Sequence, residues 1–178
     1  GGVIRLYYGT SMPMGVCLPR FVRKIASTAL GKTYGKSRAE ITAEPGVWGA
    51  NMVTLCDDMQ TVESDAVRII PEKNKGTSFE NHAFFEGSSI RKINGMYYFI
   101  YSSQKNHELC YAVSKEPDRN FGYGGTIVST GDVGFDGRKE KDRLNVTGTT
   151  HGSIEFINGR WYVFYHRLTH ASDYSRQA

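Results

Sequence analysis

The chain reads as an all-β protein assembled from β-propeller blades, and three observations predict it. One hairpin sequence occurs twice, the opening strand copies that hairpin's second strand, and short strands bounded by turn signals follow one another through the rest. Ser89, Ile90, Ile93, Asn94, Gly95, Tyr98 and Tyr101 recur as Ser153, Ile154, Ile157, Asn158, Gly159, Tyr162 and Tyr165, an offset of 64 residues. Asn-Gly between two apolar runs is the strongest short-range hairpin signal. Residues 2–10 align with 95–103 at an offset of 93, so they read as a further copy that lacks its first strand. Four short antiparallel strands repeated at intervals of tens of residues are the signature of propeller blades, which bury their faces only by packing on one another.

In chain order, Val3–Tyr8 is the first strand, and a Gly-, Pro-, Lys- and Ser-rich insertion runs from about 12 to 46. Within it, Arg20–Leu30 suits a short helix or a surface loop equally well. Strands are expected at 48–55 and, after a turn at Asp57-Asp58, at 66–70, closed by Pro71. A polar loop over 72–80 leads into the central hairpin. Further strands follow at 109–113 and 124–129, separated by the turn Lys115–Asp118. The long segment 131–148 carries alternating charges suited to a solvated loop, and Asn145-Val-Thr147 fits a glycosylation sequon, a triplet common by chance. The second hairpin ends at Arg167 and the remainder trails off. This divides residues 1–178 into a partial blade at 2–70, a complete blade at 84–130 and a partial blade at 149–178. Closure needs at least about four blades, so an interior piece of a propeller is expected, beginning in mid-strand without its natural start.

Composition narrows the class. With 39% hydrophobic and 22% charged residues the chain belongs with globular proteins. No run approaches the roughly 18 apolar residues of a membrane span. The net charge of +4 comes from scattered Lys and Arg, not the basic stripe that nucleic acid requires. Cys17, Cys56 and Cys110 form neither a closed disulfide set nor a metal-like cluster in sequence and read as buried or idle thiols. Compartment stays open between cytoplasmic and secreted, and oligomeric state is not readable.

Two residues stand out chemically. Glu86 follows Phe84-Phe85 and precedes Ser88-Ser89, a mix suited to a partly desolvated functional carboxyl, although an isolated Glu at a strand start more commonly serves the surface. His151, just ahead of the second hairpin, suits either a hydrogen-bonded core role or a ligand role. His82 and Phe85 flank Glu86 and are read as pocket-lining or as packing residues. The aromatics of the two second strands, Tyr97 to Tyr101 and Trp161 to Tyr165, are expected to fill the space between blades.

At these residues the sequence resembles glycoside hydrolase family 43, five-bladed propeller enzymes that act on arabinose- and xylose-containing glycans. Phe84-Phe-Glu86-Gly-Ser-Ser through Tyr101-Ser is similar to that family's general-acid segment, and Thr150-His151-Gly-Ser through Tyr165-His-Arg167 to the segment of the next blade. The resemblance implies a five-bladed propeller and makes Glu86 the proton donor to the leaving glycosidic oxygen. It also implies that His151 helps hold a central water cluster or calcium ion, and that Arg176 contacts sugar hydroxyls or orients the acid. No cofactor is implied for the chemistry. The family inverts, so an acid and a water-activating base must stand about 6.5–9.5 Å apart. Its base and a third carboxylate are aspartates of the first two blades; the offset of 93 places the counterpart of Glu86 before residue 1, and no residue here matches either motif. Asp57, Asp58, Asp132 and Asp136 read as turn formers. The alternatives are a non-catalytic propeller that binds a glycan, distinguished by whether the upstream aspartates exist, and an invertase-type fructosyl hydrolase, which the Phe-Glu-Gly-Ser-Ser context fits less well.

Overall fold

The computed structural model describes residues 2–11, 20–42, 48–71, 74–105, 107–145, 147–148 and 150–167. It contains three antiparallel sheets in which each strand pairs with its neighbour in sequence. The first holds β1 (Ile4–Thr10), β2 (Gly49–Leu55) and β3 (Val67–Ile70). The second holds β4 (Phe84–Ile93), β5 (Met96–Ser103), β6 (Glu108–Ser114) and β7 (Gly122–Ser129). The third holds β8 (Gly152–Ile157) and β9 (Arg160–Tyr165). Strand count and order agree with the expected blades: three strands without a first one, four complete, then an opening hairpin. Both hairpin turns place Asn and Gly at positive φ, 49° and 82° at Asn94-Gly95, 50° and 82° at Asn158-Gly159. That is the type I′ geometry whose twist matches the flanking strands.

The insertion is helical where the sequence leaves helix and loop both open. Helix α1 (Arg20–Tyr34) outruns the 20–30 stretch and stops at Gly35, whose φ of 64° lets the Lys36 amide donate back to the Gly31 carbonyl at 2.8 Å. Helix α2 (Arg38–Thr42) opens on a reciprocal cap: the Glu40 amide donates to Ser37 Oγ, and the Ser37 amide to Glu40 Oε2. These end signals, weak against the glycines in a propensity reading, decide the conformation. Among the described residues no helix is long and apolar enough to cross a membrane.

The core lies between the first two sheets. Ala50, Met52, Ile69 and Ile70 meet Phe84, Phe99 and Tyr101, with Phe79 and Phe121 closing the sides. Phe84 packs 5.9 Å from Tyr101 and 6.1 Å from Phe99, ring centre to ring centre, and Tyr7 of β1 reaches Phe99 at 6.1 Å. The Tyr7 hydroxyl also donates to the Pro117 carbonyl at 2.9 Å, so hydrogen bonding and aromatic packing join the same two blades. Among the described residues the second-strand aromatics differ between the hairpins: Phe99 and Tyr101 of β5 are buried between sheets, whereas those of β9 are exposed. Tyr101 is wholly buried, whereas its repeat counterpart Tyr165 is 42% exposed and Phe164 53%. Repeat position sets the fold of a side chain; burial needs a neighbour on the far face as well.

That contrast is measurable. In the 178-residue chain Phe99→Ala should cost about 3–5 kcal/mol through lost transfer energy and a residual cavity, while Phe164→Ala should stay within about 0.5 kcal/mol, both read from urea unfolding midpoints. Equal losses would contradict the placement of the core.

Candidate active site

Glu86 does not sit in an ordinary strand register. Phe84 opposes Ser103, Glu86 opposes Ser102 and Ser89 opposes Ile100, with a register shift on either side of Glu86. Strand β4 therefore carries surplus residues both before and after the carboxylate. Bulges of this kind bend a strand and redirect a side chain, and they concentrate beside active sites. The second shift is made possible by Gly87 at φ 76°, in the left-handed region.

The partner of Glu86 comes from the next blade. His151 Nε2 stands 3.0 Å from Glu86 Oε1. The side chains are 45% and 32% exposed, so the pair faces solvent and contributes to stability by at most about 1 kcal/mol. Its value lies in orientation. The offset of 64 explains the meeting: equivalent positions of the two blades face one another. Ser89 Oγ lies 2.7 Å from Ser153 Oγ, and the Arg91 guanidinium donates to Glu155 Oε2 at 3.0 and 3.2 Å. By the same rule Gly87 faces His151, and a Cβ there would lie 3.0 Å from His151 Cδ2. Glycine at 87 thus serves the bulge and leaves room for the imidazole. The ring is backed by His166, edge-on at 5.2 Å, and the His166 amide donates to the His151 carbonyl at 3.2 Å. Ser102 Oγ, opposite Glu86 on β5, donates to the Thr150 carbonyl at 2.6 Å and ties the same junction from beneath.

The other sequence-predicted residues fall as follows. The Phe85 carbonyl accepts from the Ser11 amide at 2.8 Å, fastening β4 to the end of β1, while its side chain is half-buried. The His82 ring is engaged at the outer half of the sheet. Its Nδ1 lies 2.9 Å from Glu108 Oε2, and it stacks on Tyr123 of β7 with centres 4.2 Å apart. The contacts of the His82 ring are thus with Glu108 and Tyr123. Arg176 lies outside the described residues. His151 brings one imidazole and Glu86 one carboxylate to this junction, whereas calcium takes six to eight oxygen ligands. The donor set of the described residues does not fit calcium here. The cross-blade pairing of Glu86 with His151 is what sequence reading missed. Its signal was present in the 64-residue offset, which sets 87 against 151.

Glu108 shows how the region beneath is held. Burial by itself would raise its carboxyl pKa, but hydrogen bonds from His82 and Ser103 and the Lys105 charge outweigh burial and hold it below the ordinary glutamate range. A depressed carboxylate lends stability that is present above the unfolded-state pKa, about 4.3, and lost as pH falls through the folded one. Glu108→Gln should therefore flatten the acid limb of a stability-against-pH curve, measured by urea unfolding. Gly87→Ala should cost about 1–2 kcal/mol from the left-handed backbone alone and displace the His151 ring, read as a changed imidazole signal in NMR. A variant of wild-type stability with an unmoved ring would exclude the packing described for Gly87.

No protein-family model matches the chain. A xylosidase/arabinosidase of Thermoclostridium stercorarium is 49% identical over 132 residues, which are 72% of this chain and 28% of that protein. The chain therefore spans little more than a quarter of that relative's length. Among solved structures, the GH43_1 enzyme of Xanthomonas citri complexed with xylose superposes with a TM-score of 0.59 at 22% identity, over 96% of this chain and 50% of its own. A GH43 β-xylosidase/α-arabinofuranosidase from a compost microbial metagenome, solved with xylotriose in a calcium-free form, gives 0.57 at 23%, over 96% and 52%. At such identities these two establish the propeller fold, and the sequence relative carries the kinship. The chain belongs to glycoside hydrolase family 43 and forms part of its five-bladed β-propeller.

Proposed function

We propose that the protein carrying this chain is a glycosidase that removes xylosyl or arabinofuranosyl residues from glycans with inversion of configuration, Glu86 acting as general acid. The observation that carries the reading is the carboxylate turned out of strand register by paired bulges and held across the blade junction by His151. An acid must keep one oxygen oriented while the other reaches the leaving group. With Oε1 engaged by His151 Nε2, the second oxygen is left to deliver the proton. In the step, the Glu86 proton passes to the glycosidic oxygen as the bond to the anomeric carbon breaks. Water adds from the opposite face, and its proton goes to a base that this reading assigns to a carboxylate outside the 178 residues. His151 is a positioning residue: it touches the acid, not the sugar. The 178-residue chain alone is expected to show no measurable turnover, because an acid without a base does not activate water. Calcium, if the whole protein holds it, would require oxygen ligands from beyond the described residues.

In the whole protein Glu86→Gln should lower kcat/KM on xylo-oligosaccharides by about 10²–10⁴. The same variant should lose far less on aryl glycosides with acidic phenols, because such leaving groups depart without protonation. NMR of the first-formed sugar should show the inverted anomer. Undiminished oligosaccharide turnover in Glu86→Gln would refute the acid assignment, and a retained anomer would refute the single-displacement mechanism.

A further inference from the structure

We propose that His82, Glu108 and Cys110 form a binding site for one zinc-class transition-metal ion, separate from the Glu86–His151 junction. Three donor types converge there on one point. Glu108 and Cys110 are two residues apart on β6 and so lie on the same face of the strand. His82 arrives from the segment that leads into β4. One nitrogen, one carboxylate oxygen and one sulfur all lie within 4.8 Å of one another. His82 Nδ1 to Glu108 Oε2 is 2.9 Å, and Cys110 Sγ to the same oxygen is 3.7 Å. Zinc bonds of about 2.0–2.3 Å in a tetrahedron put ligand atoms about 3.3–3.6 Å apart. The first separation needs to open and the second to close by only a few tenths of an ångström.

The surroundings favour a fixed site. Tyr123 stacks on the His82 ring at an interplanar angle of 5°, and the Tyr101 hydroxyl donates to the His82 carbonyl at 2.7 Å, so the imidazole is oriented without the metal. Glu108 Oε2 also accepts from Ser103 Oγ at 2.8 Å, Lys105 Nζ stands 3.5 Å from Oε1, and Cys110 Sγ lies 3.5 Å from Thr126 Oγ1. Glu108 and Cys110 are buried, whereas the His82 side chain is 24% exposed and offers the way in. One imidazole, one carboxylate and one thiolate select zinc or cobalt(II) over calcium or magnesium, which prefer oxygen alone. On binding, the sulfur–hydrogen bond breaks, its proton leaves to solvent, and a metal–sulfur bond forms; water completes the fourth position. The ion would clip the segment before β4 to β6, four residues upstream of Glu86. Sequence spacing gives no hint of this set, because His82 is brought to β6 by the antiparallel order of the sheet.

The protein, stripped of metal with a chelator, is titrated with cobalt(II). The expected result is a thiolate-to-cobalt charge-transfer band in the near ultraviolet that saturates at one equivalent, is bleached by zinc, and coincides with a raised Tm. Cys110→Ser should abolish the band, and His82→Gln should weaken binding at least tenfold, while Cys17→Ser/Cys56→Ser keeps it. Because Cys110 is in the core, near-ultraviolet circular dichroism of the metal-free variants reports folding. If Cys110→Ser does not fold, His82→Gln, altered at a partly exposed position, decides. Absence of the band in the folded wild type, its survival in Cys110→Ser, or unchanged affinity in His82→Gln overturns the proposal.

Discussion

The contact on which the site depends is the face-to-face meeting of equivalent positions in β4 and β8. Propeller blades are copies, so a residue on one inner strand finds its own counterpart on the next. Ser89 against Ser153 is hydroxyl on hydroxyl, and Arg91 against Glu155 has diverged into an ion pair. At Gly87 and His151 the divergence has gone furthest: one copy has no side chain, and the other fills the space with an imidazole. That asymmetry brings a nitrogen to Glu86. The orientation of the Glu86 carboxylate is therefore a property of the junction between two blades and not of either blade alone.

The energetics divide accordingly. Apolar burial between the first two sheets, centred on Phe84, Phe99 and Tyr101, supplies cohesion. The exposed Glu86–His151 pair supplies almost none, as expected for a solvated pair. Between them lies the polar layer of Ser103, Glu108 and His82, whose hydrogen bonds compensate for placing a carboxylate inside the protein. The stretch 82–86 consequently spans three environments in five residues: a stacked histidine, a core phenylalanine, and a carboxylate facing solvent.

Much of the strand layout was readable because its signals are local. Asn-Gly turns, alternating apolar runs and Pro71 each act within a few residues, and the repeat multiplied them. The helical insertion was half-readable: the 20–30 stretch suggested a helix, but the flanking glycines hid the Gly35 stop that ends α1 and the Ser37 cap that opens α2. Glu86 stood out through its resemblance to a known acid segment. Its partner did not, since bulges leave no trace in hydrophobic period. The partners of His82, Glu108 and Tyr123, were equally hidden, because they come from strands distant in sequence. The β9 aromatics show the converse, as apolar character does not bury a residue whose opposite face has no neighbour among the described residues.

The paired bulges around Glu86 have a consequence for variation. From Phe84 to Ser89 strand β4 advances five positions while β5 retreats three, from Ser103 to Ile100. Two unpaired residues restore the alternation of side chains beyond them, whereas one would invert it, turning Ile90 and its neighbours to the wrong face. The aim of the carboxylate is thus stored in a residue count as well as in the glycine at 87. Beyond Glu86 and Gly87, libraries built on this stretch can exchange side chains at constant length, but a single-codon deletion would put the hairpin out of phase.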